Sequence, residues 1–146
     1  MYCKKWRETF NNIKSVINKY DMVFNVIDSH TIEDLEFKYI PPHMYRFGDS
    51  TPLHIDDPCV QVLNKNTLSA IKNNHLYKLI KDSKPDEICV VGFVLSFDVL
   101  FTILDLIDQK LFVTTNSTCI SDLDDKHYEL TLNYLKWINV KDNNHV

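Results

Sequence analysis

The sequence predicts one α/β domain with a three-layer, doubly wound and mainly parallel sheet. Strand-like and helix-like segments alternate along the chain, which is typical of parallel strands joined by crossover helices. The 146 residues suffice for one hydrophobic core but not for two, so we expect a single domain over residues 1–146. Hydrophobic residues make up 45% and charged residues 25%, the balance of a folded globular chain.

The first half of the chain predicts a helix, a strand, a long loop and a second strand. Trp6, Phe10, Ile13 and Ile17 recur at helical spacing and predict an amphipathic helix over residues 7–20. The apolar run at residues 22–27 predicts a buried strand. Residues 28–58 hold four of the five prolines and one of the two glycines, so we expect a long functional loop there. Residues 60–63 predict the next strand.

The second half continues the alternation. Leu76, Leu79 and Ile80 centre a helix, and residues 87–92 predict the most clearly buried strand. A strongly apolar helix is expected over residues 97–109, a strand over 111–115, a helix over 125–137 and a short strand over 138–140. In such sheets ligands bind beyond the carboxyl ends of the strands, and those positions hold the candidate site residues.

Charge and hydropathy exclude several classes of protein. The formal net charge of −4 argues against a nucleic-acid partner. No apolar run has the length of a membrane span or a signal peptide, so we expect no membrane partner and a cytoplasmic location. The four cysteines have no paired spacing, which favours reduced thiols.

Asp28, His30 and His43 are candidate metal ligands. Asp28 and His30 are two residues apart at the end of a predicted strand, so their side chains point to the same side, and His43 lies in the loop that follows. A carboxylate with two imidazoles suits a catalytic divalent ion such as zinc, iron or manganese. The plainer alternative is a turn capped by Asp28 beside a solvated histidine.

Lys65 and Asp98 are candidate catalytic residues. Lys65 follows a buried strand, where its ammonium could orient an anion, although a solvated loop lysine is the alternative. Asp98 lies near the start of the apolar helix, where a helix N-terminus favours negative charge, and a capping carboxylate is the alternative.

Several short motifs occur in a suggestive order. Residues 62–71 read VLNKNTLSAI, a predicted helix follows, and residues 89–92 read CVVG. Upstream, residues 28–30 read DSH, and residues 40–43 read IPPH with Gly48 downstream. From about residue 12 to 140 this order resembles the isochorismatase-like cysteine hydrolases, nicotinamidases in particular. The resemblance implies their α/β fold, Lys65 as the catalytic lysine, and Asp28, His30 and His43 as metal ligands.

Two departures from the family bear on activity. In the family a cysteine after the glycine strand attacks an amide or carbonyl carbon, and counting from Gly92 places Asp98 at that position. The family's first central strand, which carries a catalytic Asp, is expected to be missing, because Met1 leads almost directly into the first helix. Its loss would leave backbone groups of two neighbouring strands unpaired. Closure of the neighbours, filling by another segment or chain, and a shortened reading frame remain alternatives.

These departures leave two functional hypotheses. The favoured one is a catalytically silent domain that keeps a metal or small-ligand site and in which Lys65 and Asp98 form an ion pair. The alternative is a metal-dependent amidohydrolase of nicotinamide or a related small amide, in which Asp98 is the general base for a metal-bound water. Expected partners are a small amide or pyridine-like ligand, a second copy, or a chain that fills the missing strand.

Overall fold

Strands and helices alternate in the computed structural model, which describes residues 3, 5–31, 33–34, 38–39 and 53–144. The helices are α1 (Trp6–Val16), α2 (Asn74–Ser83), α3 (Leu100–Asp108) and α4 (Asp125–Trp137). The strands are β1 (Val23–Asp28), β2 (Val60–Lys65), β3 (Ile88–Cys89), β4 (Gly92–Phe93), β5 (Val113–Thr115), β6 (Ile120–Ser121) and β7 (Lys141–Asp142). The predicted α/β class is confirmed.

All described strand pairs are parallel. β1 pairs with β2, with Asp28 opposite Lys65 at the carboxyl ends. β5 lies between β3 and β7, and β4 pairs with β6. β3 and β4 are thus two pieces of one irregular edge that runs beside β5 and β6. Val90 and Val91 separate the two pieces, and Gly92 begins β4 with a φ of 127°, a conformation that favours glycine.

β1 has one paired edge. Ser29 N–H donates to the Lys65 carbonyl at 2.7 Å, so the odd-numbered backbone groups of β1 face β2. Within the described ranges, the groups of Phe24 and Val26 face away from β2, and no ladder joins β1 to β3 or β4. The described sheet is therefore divided between β1–β2 and the other strands.

Two clusters of buried side chains hold the helices to the strands. The larger cluster takes Leu76 and Ile80 from α2, Ile103 and Leu106 from α3, and Leu135 from α4. The smaller one contains Ile13, Ile17, Val60 and Cys119, so it joins α1 to β2 and to the 3₁₀ turn before β6. Val91 packs against both clusters. No helix in the described part of the chain is long and apolar enough to cross a bilayer.

Several predicted bounds are wrong in detail. The first helix is α-helical only to Val16 and ends in a 3₁₀ turn over Ile17–Lys19. The expected strand at residues 138–140 lies instead at Lys141–Asp142, because Asn139 adopts a left-handed conformation with φ 63° after α4. The helix expected from residue 97 begins with a π-helical turn over Leu95–Val99, which gives Asp98 its position.

Candidate functional site

The carboxyl ends of β1 and β2 and the turn after β4 bring three charged side chains together. Asp28 ends β1, Lys65 ends β2 as its register partner, and Asp98 lies in the π-helical turn that follows β4. The cis peptide bond between Phe93 and Val94 immediately precedes this turn. The sequence predicted each of these residues near the carboxyl end of a strand but did not predict that all three meet. In the structure they form one charge cluster, Asp28–Lys65–Asp98.

Lys65 is the centre of this charge cluster. Its Nζ donates to Asp28 Oδ1, to Asp98 Oδ1 at 2.5 Å and to the Thr67 carbonyl at 2.9 Å. The Lys65 side chain is only 6% exposed. An ammonium has three hydrogens, so these acceptors use every donor that Lys65 has.

Burial and charge act in opposite directions on these groups. Desolvation lowers the pKa of Lys65, but the carboxylates of Asp98 and Asp28 together outweigh it, and the pKa is raised. Burial is the main cause that raises the pKa of Asp98; Lys65 opposes this effect, and the charge of Asp28 adds to it. The cluster holds two carboxyl groups and one ammonium, and Asp98 therefore takes up a proton more readily than an ordinary aspartate.

Thr102 connects the backbone around Lys65 to the backbone of Asp98. The Thr102 hydroxyl donates to the Asp98 carbonyl at 2.6 Å and accepts from the Ala70 N–H at 2.9 Å. Ala70 begins the 3₁₀ turn that follows the Lys65 loop. The segment after Lys65 and the turn that contains Asp98 are thus joined by the Thr102 hydroxyl as well as by the Lys65–Asp98 ion pair.

His30 is buried beside Asp28 but has a different main partner. Its Nδ1 lies 2.9 Å from Asp34 Oδ2, whereas its Nε2 lies 3.9 Å from Asp28 Oδ1. Thr31 donates to the Asp34 carboxylate through both its N–H, at 3.1 Å, and its hydroxyl, at 3.0 Å. Asp34 therefore closes the turn after β1 and orients His30.

The predicted metal site does not assemble from the described donors. Asp28 is bound to the Lys65 ammonium and His30 to Asp34. Across the ranges that the structure describes, no three His, Cys, Asp or Glu side chains form a group that could hold a metal ion. The third predicted ligand, His43, lies outside the described residues. The ammonium within hydrogen-bond distance of Asp28 does not fit beside a divalent cation, because both carry positive charge.

Asp122 and Ser96 form a second polar cluster. Asp122, directly after β6, accepts from the Ser96 N–H at 2.8 Å and the Ser96 hydroxyl at 3.0 Å. Burial raises the pKa of the Cys3 thiol to about 11, and the charges of Asp122 and Asp98 add to this effect. Cys3 is therefore a neutral thiol at neutral pH, although it senses the charge of Asp98.

A small cleft borders the charge cluster. It has a volume of about 230 Å³ and is lined by Ser29, Asn64, Lys65 and Asn66. The lining is polar and contains no aromatic ring among these residues. It suits a small ligand with amide or carbonyl groups better than a large apolar one.

Sequence reasoning missed Asp34, Asp122 and the Thr67 carbonyl. The spacing of Thr31 and Asp34 is that of a side chain closing a turn, which could have indicated the partner of His30. Asp122 was missed because β6 was not predicted, so its position after a strand went unnoticed. Nothing in the sequence indicated that the Thr67 carbonyl would take the third hydrogen of Lys65.

The chain matches a known protein family. A family model described as the isochorismatase domain matches residues 43–141. The chain therefore belongs to the isochorismatase family. No curated protein sequence matches it.

Solved structures show the same fold at low sequence identity. A pyrazinamidase/nicotinamidase from Streptococcus mutans has a TM-score of 0.82 and 20% identity, over 95% of this chain and 87% of its own. N-carbamoylsarcosine amidase from Thermoplasma acidophilum has a TM-score of 0.80 and 18% identity, over 97% and 86%. Pyrazinamidase of Pyrococcus horikoshii, solved in complex with zinc, has a TM-score of 0.82 and 14% identity, over 94% and 86%.

Proposed function

We propose that this chain is a catalytically silent, nicotinamidase-like member of the isochorismatase family. In this proposal Asp28, Lys65 and Asp98 form a structural charge cluster. The resemblance to cysteine hydrolases expects a metal ligand at Asp28, the catalytic lysine at Lys65 and the nucleophilic cysteine at the position of Asp98. The observation that supports it most is the saturation of Lys65, whose three hydrogens are all accepted by oxygen atoms of the protein itself.

The lack of a usable nucleophile supports this proposal. Asp98 occupies the position that the resemblance assigns to the nucleophilic cysteine, and a carboxylate is a much weaker nucleophile toward amides than a thiolate. Cys3 is the thiol whose pKa responds to Asp98, and a pKa of about 11 leaves almost no thiolate at neutral pH. Neither the Asp98 carboxylate nor the protonated Cys3 thiol is therefore a good nucleophile for attack on an amide carbon.

The state of Lys65 also argues against catalysis. To orient a substrate or to move a proton, its ammonium must give up a hydrogen bond to Asp28, Asp98 or the Thr67 carbonyl. The pKa of Lys65 is raised, so the amine does not become a base at neutral pH. The charge cluster instead joins β1, β2 and the turn before α3, which is a structural role.

We further propose that the polar cleft beside Lys65 binds a small amide without turnover. Asn64 and Asn66 flank Lys65 along the chain and line this cleft with it. The names of the structural neighbours, which are amidases, support this ligand class. Titration with nicotinamide, followed by NMR, should give saturable shifts that Asn66→Leu weakens and Asn11→Leu, a change at an exposed position on α1, does not. Unchanged spectra at saturating nicotinamide would contradict the binding proposal.

Catalytic silence is tested with substitutions at Asp98. Ammonia release from nicotinamide is measured for the parent, for Asp98→Asn and for Asp98→Cys. We expect no release by the parent or by Asp98→Asn. Asp98→Cys places a thiol beside the Lys65 ammonium, which lowers a thiol pKa, so its reaction with iodoacetamide should be faster than that of Cys3. Turnover by the parent that disappears in Asp98→Asn would overturn the proposal.

The metal-dependent alternative has a separate test. Two observations favour a metal in this chain: Asp28 and His30 lie close together at the end of β1, and the Pyrococcus horikoshii neighbour was solved in complex with zinc. The described donors do not fit one, for the reasons given above. Elemental analysis of the purified protein and of His30→Ala decides between the two. Stoichiometric metal in the parent that is lost in His30→Ala would support the alternative.

A further inference from the structure

Residues that follow Lys65 in the chain and residues of helix α3 together line a second, larger cleft. Its volume is about 600 Å³, which lies within the range of about 300–1,000 Å³ that small-molecule sites occupy. Its lining includes Leu68, Ser69 and Lys72 from the first segment, and Phe101 and Asp105 from α3. No member of the charge cluster lines it, so it is a separate site.

Two contacts hold the sides of this cleft together. Lys72 Nζ lies 3.3 Å from Asp105 Oδ2. The Ala70 N–H donates to the Thr102 hydroxyl at 2.9 Å. Both contacts join the 3₁₀ turn at Ala70–Lys72 to α3, so the cleft is formed before any ligand enters it.

Ser69 brings an unpaired polar group to the lining. The residue is 4% exposed, and its Oγ is buried without a hydrogen-bond partner among the residues that the structure describes. A buried hydroxyl of this kind costs free energy and calls for a partner from outside the protein. Rotation about the Cα–Cβ bond to another staggered rotamer can turn the hydroxyl toward a ligand in the cleft.

The charged groups of the lining already have partners. Asp105 pairs with the Lys72 ammonium. Asp34, the remaining charged residue of the lining, accepts from the N–H and the hydroxyl of Thr31 and contacts His30. An ionic ligand would have to break one of these contacts, so the lining favours a neutral ligand.

The apolar groups of the lining fit a ring. The Phe101 side chain is 43% exposed and Leu68 is half-buried, so both offer apolar surface to a ligand. Aromatic rings pack favourably against one another in offset or edge-to-face arrangements. A ring against Phe101 and one hydroxyl group toward Ser69 would use both kinds of lining.

We propose that this cleft binds a neutral aromatic alcohol, with its ring against Phe101 and Leu68 and its hydroxyl group hydrogen-bonded to Ser69 Oγ. The serine hydroxyl both donates and accepts, and so does a ligand hydroxyl, so the pair can form in either direction. The proposal does not depend on nicotinamide binding, because Ser69 does not line the polar cleft beside Lys65.

Titration with phenol, followed by NMR of the whole chain, tests the site. Phenol is neutral at pH 7 and should give saturable shifts at the amides of Ser69 and Phe101. Benzene, which has the ring without the hydroxyl, should bind more weakly. Ser69→Ala should weaken phenol binding roughly fivefold, the loss of one hydrogen bond, and leave benzene binding unchanged.

Two further variants test the ring contact. Phe101→Leu should weaken the binding of phenol and benzene alike, because it removes the aromatic surface that both use. Phe112→Leu is the matched control, since Phe112 is 55% exposed but does not line the cleft, and its affinities should equal those of the parent. Circular dichroism establishes that the variants remain folded.

Thermal melting without ligand gives an independent test of the Ser69 hydroxyl. Ser69→Ala should melt no lower than the parent, because it removes a buried group that has no partner. A lower melting temperature would mean that the hydroxyl is paired within the protein and would overturn the proposal. Shifts that do not saturate over the soluble range of phenol, or equal weakening of phenol and benzene by Ser69→Ala, would overturn it as well.

Discussion

Lys65→Met should be strongly destabilising, because it leaves two carboxyl groups facing each other without their shared cation. The Lys65 side chain is 6% exposed, and both Asp28 and Asp98 bind its Nζ. Removing one partner of a buried ion pair costs about 3–5 kcal/mol. For a chain of this size that lowers the melting temperature by roughly 6–20 °C. Urea unfolding at pH 7, followed by circular dichroism, measures the loss.

Two controls separate the role of burial from that of charge. Lys72→Met removes an ammonium that lies 3.3 Å from Asp105 with its side chain 60% exposed. A surface pair of this kind contributes about 1 kcal/mol or less. The triple variant Asp28→Asn, Lys65→Met and Asp98→Asn should recover most of the stability, because no buried charge remains unpaired. Equal losses for Lys65→Met and Lys72→Met would refute the structural role of the cluster.

Four further predictions follow from particular groups. The pKa of Asp98 is raised in the folded parent, so the folded protein still holds a proton there above about pH 3.8, where the unfolded chain has lost it. The free energy of unfolding of the parent therefore falls as the pH rises through that window, and in Asp98→Asn this pH dependence should flatten. Urea titrations at several pH values check this, and an unchanged slope contradicts it. At pH 7.5 iodoacetamide should modify the exposed Cys59 before Cys3, as peptide mass spectrometry would show; faster labelling of Cys3 would contradict its raised pKa. The amides of Phe24 and Val26 should exchange with deuterium faster than those of Asn25 and Ile27, and equal protection would mean that the second edge of β1 is covered. A single domain over residues 1–146 should melt in one cooperative calorimetric transition, and two resolved transitions would contradict it.

The fold was predictable because its signals are local. Short apolar runs predicted β1 and β2, and the helical spacing of Ile13 and Ile17 predicted α1. In each case the pattern of buried side chains indicates whether the segment is a strand or a helix. The strand predicted over residues 87–92 was wrong in detail, because the segment is broken into β3 and β4, and Gly92 begins β4 with a φ of 127° that favours glycine. The break between β3 and β4 and the π-helical turn were not predictable, because they depend on packing between distant segments.

The site was predictable only as a set of positions. Asp28, Lys65 and Asp98 could each be placed beyond a strand end, but the pairing that decides their chemistry depends on distances across the sheet. Asp28 was expected to bind a metal, whereas the structure places it against the Lys65 ammonium. The expected contact between Lys65 and Asp98 is present at 2.5 Å, and its role as a structural ion pair remains a prediction.

Ammonia release from nicotinamide by the unsubstituted protein is the most direct measurement of catalytic silence. Typical enzymes turn over about 1–10³ times per second. Incubation for hours with as much protein as nicotinamide therefore detects a turnover rate that is lower by orders of magnitude. The saturated Lys65 and the carboxyl group of Asp98 predict no release above that of a sample without protein. Release that saturates with nicotinamide and is abolished in Asp98→Asn would contradict catalytic silence.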